Sequence, residues 1–479
     1  MRWSSFLLFL LITTHAFAQN EVDALRYSNY DGAVSARSLG MGGAFGAAGG
    51  DASSFYLNPA GIGVFRRGMA ELSFGLQDVS TRAKYEGTEK LDARTKFILN
   101  QACLVGMSSN SSANKRFNYG VSYAKLNTFH ENVLIEGEAQ STLLIPFALQ
   151  ASGNSTDDIY DALPWTSALA YDTYALDLDD TTQSLYRYNA NGNPLQRKQI
   201  TRSGAQGETA FALGWTNGDK WYFGLSLKMM SIRFDEDATH TETFSDSSDV
   251  RSFAYHEILS TTGTGFNIMA GVLAFPTPWL RLGASIQSGT RMTLQDSYTT
   301  DMSTNYFDEN YTSTSPELIN DWSLRIPSRM RLHSTWILGK HGLINVDYER
   351  AHIQSSVIQG LGDNTFDYSR ENEKIGEIFR STNILRAGGE LRWRSYYFLR
   401  GGISWRQNPL SEASGEAQPA VLGLHAGCGY RSDYFTADLG ISSQVKQSAY
   451  YLYDPAYASR ASLSSQHFMA MLSVGMKFQ

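Results

Sequence analysis

Cysteine is almost missing from this chain. Two residues in 479, Cys103 and Cys428, cannot form a disulfide framework and leave at most one bridge. Charge is also scarce: Asp, Glu, Lys and Arg make up 18%, below the usual quarter, and the net charge is −7. No basic tract occurs, which argues against nucleic acid as a partner. No run of 18 apolar residues occurs, which excludes a transmembrane helix. Enzyme signatures are absent: there is no G-x-S-x-G, no H-E-x-x-H and no Walker loop. The nine histidines are scattered, and His130, His240, His256, His333 and His352 fall at no metal-ligand spacing. No catalytic residue, metal or cofactor is expected.

Aromatic residues and glycine are abundant: 26 Tyr, 25 Phe, 9 Trp and 42 Gly. Mean hydropathy is nonetheless negative, at −0.29. High aromatic content with low charge and polar hydropathy fits a barrel whose residues alternate between lipid and water. The first 18 residues, MRWSSFLLFLLITTHAFA, read as a signal peptide. Arg2 is the positive end, Phe6 to Ile12 the apolar core, and Ala16-Phe17-Ala18 the small-x-small cleavage site. The mature chain is expected to leave the cytoplasm.

From Gly68 onward the text alternates with period two. Ile384, Arg386, Gly388, Glu390 and Arg392 share one parity, and Leu385, Ala387, Gly389, Leu391 and Trp393 the other. Tyr397, Leu399, Gly401, Ile403 and Trp405 continue the pattern after Arg394-Ser395, as in a tight hairpin. Phe468, Ala470, Leu472, Val474, Met476 and Phe478 repeat it at the C-terminus. Fourteen segments are long enough to span a bilayer: 69–81, 95–108, 116–128, 202–217, 220–235, 258–275, 279–295, 320–339, 342–357, 381–394, 396–407, 420–430, 433–449 and 466–478. Short connections (217–220, 275–279, 339–342, 394–396, 430–433) alternate with long ones (129–201, 236–257, 296–319, 358–380, 408–419, 450–465). Outer-membrane barrels sort their turns in this way, short on the periplasmic side. The reading is an all-β, 14-stranded antiparallel transmembrane barrel over 68–479, with 129–201 as its longest extracellular loop.

Parity assigns each strand charge a side. Glu71, Lys228, Arg281, Arg331, Asp347, Glu349, Arg386, Glu390, Arg392, Arg400, Arg406 and Asp438 should face inward, since a charge at mid-membrane costs about 2–4 kcal/mol. Cys428 should face lipid with Leu422 and Leu424, which disfavours a bridge to Cys103. The inward Arg386, Glu390, Arg392, Arg400, Arg406 and Asp438 either hold an anionic headgroup or pair with one another and with the N-terminal segment. In the long loop, Ile159, Leu163, Trp165 and Leu169 lie along a short amphipathic stretch around Pro164. They form a capture surface for a hydrophobic ligand or the core of a lid.

One stretch stands apart, Ser35 to Phe65. It holds glycine at 40, 42, 43, 46, 49, 50, 61 and 63, too many for an ordinary helix or strand. It reads Ser35-Ala36-Arg37, Gly40-Met41-Gly42-Gly43-Ala44, Asp51-Ala52-Ser53 and Asn58-Pro59-Ala60-Gly61. This resembles the N-terminal signature of the FadL-like outer-membrane transport family (OmpP1/FadL/TodX). Arg386-Ala387-Gly388-Gly389-Glu390 with Leu399-Arg400-Gly401-Gly402 is similar to a strand pair of that family. The resemblance implies a 14-stranded barrel in the Gram-negative outer membrane, with residues 19–67 as a hatch in its lumen. Arg37, Gly40, Gly42, Gly43, Asp51, Asn58, Pro59, Ala60 and Gly61 would be the hatch residues. It implies passive uptake of hydrophobic small molecules, such as long-chain fatty acids or aromatic hydrocarbons, by hatch movement and lateral exit. The expected partners are that ligand, the lipid bilayer and the barrel-assembly machinery, which would read Phe478 with Gln479 beyond it. An alternative within the family is a barrel component or shuttle for protein secretion. A third reading, a hydrolase at the rim, rests on Ser464, Ser465 and His467 and lacks a carboxylate partner.

Overall fold

The structure is a computed structural model, and it describes residues 21–28, 34–108, 115–179, 185–245, 248–362, 364 and 366–478. The expected signal peptide, 1–18, lies outside the described residues. Among the described residues three helices come first: α1 (Glu21–Ser28), α2 (Ala36–Gly40) and α3 (Ser54–Leu57), then a 3-10 turn over Pro59–Val64.

The wall follows. β1 (Gly68–Tyr85) and β2 (Thr88–Met107) form a hairpin through Glu86-Gly87, both in the left-handed region (φ 45° and 77°), the geometry of a type I′ turn. β3 (Phe117–Thr128) continues into β4 (Glu131–Glu138). The long excursion then holds α4 (Leu144–Ala151), α5 (Asp158–Ala162), α6 (Ser167–Asp172) and a small hairpin, β5 (Leu176–Leu178) with β6 (Tyr186–Tyr188). β7 (Leu195–Asn217), β8 (Trp221–Thr243) and β9 (Val250–Thr277) are the longest strands. Next come β10 (Leu280–Gln287), β11 (Thr290–Tyr306), β12 (Glu309–Thr314), β13 (Leu318–Ile326), β14 (Arg329–Ile337), β15 (Gly342–Ala351) and β16 (Val357–Gly360). After α7 (Ser369–Ile378), the chain ends with β17 (Thr382–Trp393), β18 (Tyr397–Arg406), β19 (Val421–Arg431), β20 (Phe435–Tyr451) and β21 (Arg460–Phe478).

Neighbouring strands pair antiparallel around the ring, and β1 closes on β21 from Gly68↔Phe478 to Lys84↔Ser462. Counting β3–β4, β10–β11, β12–β13–β14 and β15–β16 as one position each, the closed wall has fourteen positions. Two segments expected as single strands, 279–295 and 320–339, each break in the middle, at Ser288-Gly289 and at Pro327-Ser328. The breaks lie side by side, since Gln287 pairs with Arg329 below them and Thr290 with Ile326 above. Proline has no N–H to give a ladder, so a strand carrying Pro327 bends there. The expected strand 342–357 bends at the same level, through Ile353–Ser355.

The outside is a belt of apolar side chains. Leu72, Leu104, Leu213, Leu225, Ile268, Leu332, Leu385, Leu399, Leu424, Leu439 and Leu472 are all exposed. On β8 the outward face runs Trp221, Leu225, Leu227 and Met229, then turns polar at Ser231 and Arg233. The apolar part is about 26 Å along the strand, enough for a tilted strand to cross the hydrocarbon. Trp215, Trp221, Trp279, Trp336, Trp393, Tyr397, Tyr430 and Phe478 ring the short-turn end, where an aromatic girdle belongs at the membrane interface. Cys428 is exposed on this belt, Cys103 is buried, and both are free. Past the belt, β7, β8 and β9 continue by ten or more residues, about twice the length a spanning strand needs.

Candidate functional site

Residues 34–65 lie against the inward faces of the wall. Ser35 caps α2 through a capping box with Ser38 and bonds Asp51 at 3.0 Å. From α2, Arg37 reaches Glu390 on β17 with two bonds, Nε–Oε2 at 2.9 Å and Nη2–Oε1 at 2.7 Å. Arg400 donates to Glu390 at 2.7 Å and pairs with Asp438 at 2.7 Å, and Arg431 joins Asp438 at 3.3 Å. Backbone glycines allow this approach. A Cβ on Gly388 or Gly402 would meet Met41 at 2.2 or 2.3 Å. Gly42 adopts φ 70° where its turn faces Ile403. The Asn58-Pro59-Ala60-Gly61 turn docks on β8 and β9 in the same way. A Cβ on Gly224 would meet Ala60 at 2.2 Å, and one on Gly271 would meet Asn58 at 2.0 Å. Asn58 caps the turn by accepting from the Ala60 amide and donates to the Val272 carbonyl at 3.2 Å. Asp347 accepts from the Phe45 and Gly46 amides at 3.0 and 2.9 Å.

A second ion network lies higher in the lumen. Glu349 receives Arg329 at 2.8 Å, Arg331 at 3.3 Å and Arg386 at 2.9 Å, all buried. Arg329 also donates to the Ser28 carbonyl at the end of α1. Lys228 pairs with Glu208 at 2.9 Å. Of the charges expected inside, Arg392 is the exception. It is exposed at the short-turn rim and donates to the Ser395 carbonyl at 2.9 Å, because its strand ends one residue later. Arg406 stands inward and half-buried near the top of β18, apart from the Glu390 network.

Above these networks an aromatic chamber surrounds α1. Tyr27 packs on Phe129, Phe234 and Trp322 with ring centroids 6.0, 6.5 and 6.4 Å away, and Phe129 meets Phe234 edge-on at 5.3 Å. Arg26 stacks 4.0 Å over Phe234. Ile159, Leu163 and Leu169, expected in a capture surface, are buried in a cluster with Leu144, Phe147, Phe253 and Met302. Trp165 is half-buried, its indole bonded to the Pro316 carbonyl at 3.0 Å. The strands β4 and β7 run into both ends of the long loop, pairing from Glu131↔Arg202 to Glu138↔Leu195. Ser465 donates to Glu131 and exchanges a bond with Thr81, so the suggested rim serine is held by the wall.

Among the described residues the wall opens a slot between β2 and β3. β2 pairs with β3 only from Met107↔Asn118 to Gln101↔Ala124, although β2 goes on to Thr88 against β1. Past Ala124, β3 stays with β7, passes a bulge at Lys125–Asn127 and turns into β4. β4 leans inward: Val133 and Ile135 are buried against Ala83 and Tyr85 on the inner face of β1. Side-chain contacts cross the slot, among them Arg94 to the Arg202 carbonyl at 2.6 Å, Thr128 to Gln77, Thr81 to Glu131 at 3.0 Å and, farther up, Lys90 to Glu136 at 2.7 Å. Phe129, at the bend, lines the chamber behind it. The one local mark of this lost pairing in the sequence is Lys125, a charge on the lipid parity of β3.

A closed wall with an apolar belt, an aromatic rim and a filled lumen defines a transmembrane β-barrel of the outer-membrane type. The sequence matches the model of the outer membrane protein transport proteins (OMPP1/FadL/TodX) over residues 30–451. The chain belongs to this family, and it is a multi-pass β-barrel of the outer membrane. Among solved structures it is similar to a Pseudomonas aeruginosa FadL homologue (12% identity, 93% of this chain and 98% of that one, TM-score 0.58). It is also similar to the CymD monoaromatic hydrocarbon channel (14%, 93% and 98%, TM-score 0.51). A deltaS2 mutant of the TodX monoaromatic hydrocarbon channel is comparable (14%, 94% and 100%, TM-score 0.52). At these identities the likeness shows the fold. No curated protein matches the sequence.

Proposed function

We propose that the chain is a passive channel for hydrophobic small molecules, with residues 19–67 as a hatch and 129–201 as an extracellular lid. The observation that carries this reading is the position of Phe129. It stands between the aromatic chamber and the slot, so a ligand in the chamber is one side chain from the membrane. α1 occupies the chamber, and its Tyr27 ring sits where an aromatic or aliphatic ligand would pack. In this reading the ligand enters beneath the lid, displaces α1 and leaves sideways between β2 and β3. Residues 34–65 close the straight path to the periplasm, held by Arg37–Glu390 below and the Asn58 turn beside it. Fatty acids and aromatic hydrocarbons both fit an apolar chamber, and similar folds include hydrocarbon channels. No step needs covalent chemistry or an energy source. The test is uptake of labelled toluene and labelled dodecanoate into vesicles holding the purified barrel. Uptake of either above that of empty vesicles supports the channel. Uptake of neither, by a correctly folded barrel, removes it.

A further inference from the structure

The slot is basic, and its charges stand at one height. Lys125 is the first residue of β3 beyond the β2 pairing, and parity turns it outward with Tyr119 and Tyr123. It pairs with Gly207, which pairs with Ser231, the first outward polar position on β8. Lys125 therefore sits at the upper edge of the apolar belt. Lys96 reaches the same edge from the other side. It pairs with Gln77, between Leu76, an exposed belt residue, and Asp78, where the outward face of β1 turns polar. Lys96 has the inward parity of β2, yet it is exposed, because β3 has bent away from it. Arg94, two residues on, spans the slot to the Arg202 carbonyl. The cations are close enough that Lys96 repels Lys125, and all three repel charge on His130.

No carboxylate among the described residues answers them. Among the described residues neither Lys96 nor Lys125 forms an ion pair, while the neighbouring Lys90 pairs with Glu136 at 2.7 Å and Arg202 with Glu131 at 3.1 Å. At the edge of the belt a cation is tolerated without an internal partner, and two such cations flanking a gap are placed to take an anion that arrives there. Their height matches the level at which an amphiphile in the outer leaflet holds its head.

We propose that the slot between β2 and β3 binds the anionic head of an amphiphile, carboxylate or phosphate, between Lys96 and Lys125. The inference rests on the slot as the exit and adds to it a preference for acids over neutral hydrocarbons. The same chemistry has two sources, a departing fatty acid or a resident outer-leaflet lipid phosphate.

The experiment is calorimetric titration of the full-length barrel, purified in a nonionic detergent, with dodecanoate, with dodecanol and with diphosphoryl lipid A. The proteins compared are the wild type and Lys96→Gln/Lys125→Gln. Affinity for dodecanoate or for lipid A should fall about tenfold or more in the variant, as expected when charge-assisted contacts are lost. Dodecanol affinity should not change. Whichever anion loses affinity identifies the source. Unchanged affinity for both anions, or a parallel loss for dodecanol, overturns the proposal. If the double variant does not fold, the wild type decides the matter. Its anion affinity must fall with rising salt, and salt-independent binding overturns the site. Vesicle uptake keeps the two readings apart. A wild type that binds anions but transports nothing sinks the channel and leaves this site. A variant that binds and transports both probes like the wild type sinks this site and leaves the channel.

Discussion

Glu390→Gln should loosen the hatch while leaving the barrel standing. Glu390 accepts both bonds from Arg37 and one from Arg400, in a region closed to water. The substitution keeps the shape and removes the charge. Arg400 retains Asp438 at 2.7 Å, but Arg37 retains a long ion pair to Asp51 at 3.9 Å and its stacking on Phe45, 4.6 Å from the ring centre. The loss therefore falls on α2. Removing one partner of a buried ion pair typically costs about 3–5 kcal/mol. Even about 3 kcal/mol raises the detached fraction of the segment roughly a hundredfold, since about 1.4 kcal/mol is a factor of ten. The wall keeps its backbone ladders, so fast migration of the unheated protein in detergent gels should persist. Planar-bilayer recordings should show a large rise in open time. Asp438→Asn, which leaves Arg37–Glu390 in place, should have a smaller effect. Arg37→Met in the Glu390→Gln background should add little, because the two residues act through one contact. A folded Glu390→Gln barrel with wild-type conductance would refute the assignment of this pair as the hatch anchor.

Other outcomes follow from the same contacts. Gly402→Ala would drive a Cβ to 2.3 Å from the Met41 backbone, so it should raise conductance as Glu390→Gln does, measured in the same bilayers. Deleting residues 34–50 should leave an assembled barrel, because its strands satisfy one another, with high conductance and no selective uptake. Normal conductance would assign closure of the pore to the 129–201 lid. Leu472→Arg places a guanidinium in the belt and should block assembly, whereas Gln444→Arg, on an inward and partly open position, should be tolerated in a heat-modifiability gel. Burial lowers the affinity of His256 for a proton, but its bonds to Asp301 at 2.8 Å and Asp237 at 3.1 Å outweigh this and raise its pKa. Its contribution is complete below about pH 6.5, the unperturbed value, and fades as pH rises through the higher folded value. The outer ends of β8, β9 and β11 should then resist protease better at pH 6 than at pH 8. His256→Gln should lose that difference, and a variant that keeps it would assign the effect elsewhere.

Much of the wall was legible because lipid outside and a filled lumen inside impose opposite chemistries on successive residues. The parity of Leu385 against Arg386, or Leu439 against Asp438, needs no partner to be read. The glycine stretch was legible too, since so much glycine with Phe45, Phe55 and Tyr56 suits backbone packed against a surface. Strand breaks were less so. Pro327 and Gly289 carry the signal in principle, but only their position side by side makes a bend across the sheet. The slot was hidden because it is a missing pairing between β2 and β3, and pairing is a property of two strands. One residue did point to it: Lys125 lies on the lipid parity of its strand, where a charge has no reason to be.

Parity gives the side of a residue and not its height, and height decides what an inward residue does here. Near the short turns the inward positions are glycines that admit Met41 and Asn58, or side chains bonded to residues 34–65. Ser473 is one of these: its hydroxyl is 2.8 Å from the Ala36 amide, so an arginine placed there would strike α2 instead of entering open lumen. Higher up, the inward positions form ion networks on Glu390 and then on Glu349. Higher still they are aromatic around α1, and along β20, Gln444 and Lys446 face space that water reaches. Read upward, the lumen passes from backbone contact to fixed charge to apolar chamber, and the slot opens at the level of the chamber. A hydrophobic ligand held there has charged, packed layers beneath it and a gap in the wall beside it. On the proposed reading, the sideways route is therefore the one that keeps apolar surface out of contact with buried charge.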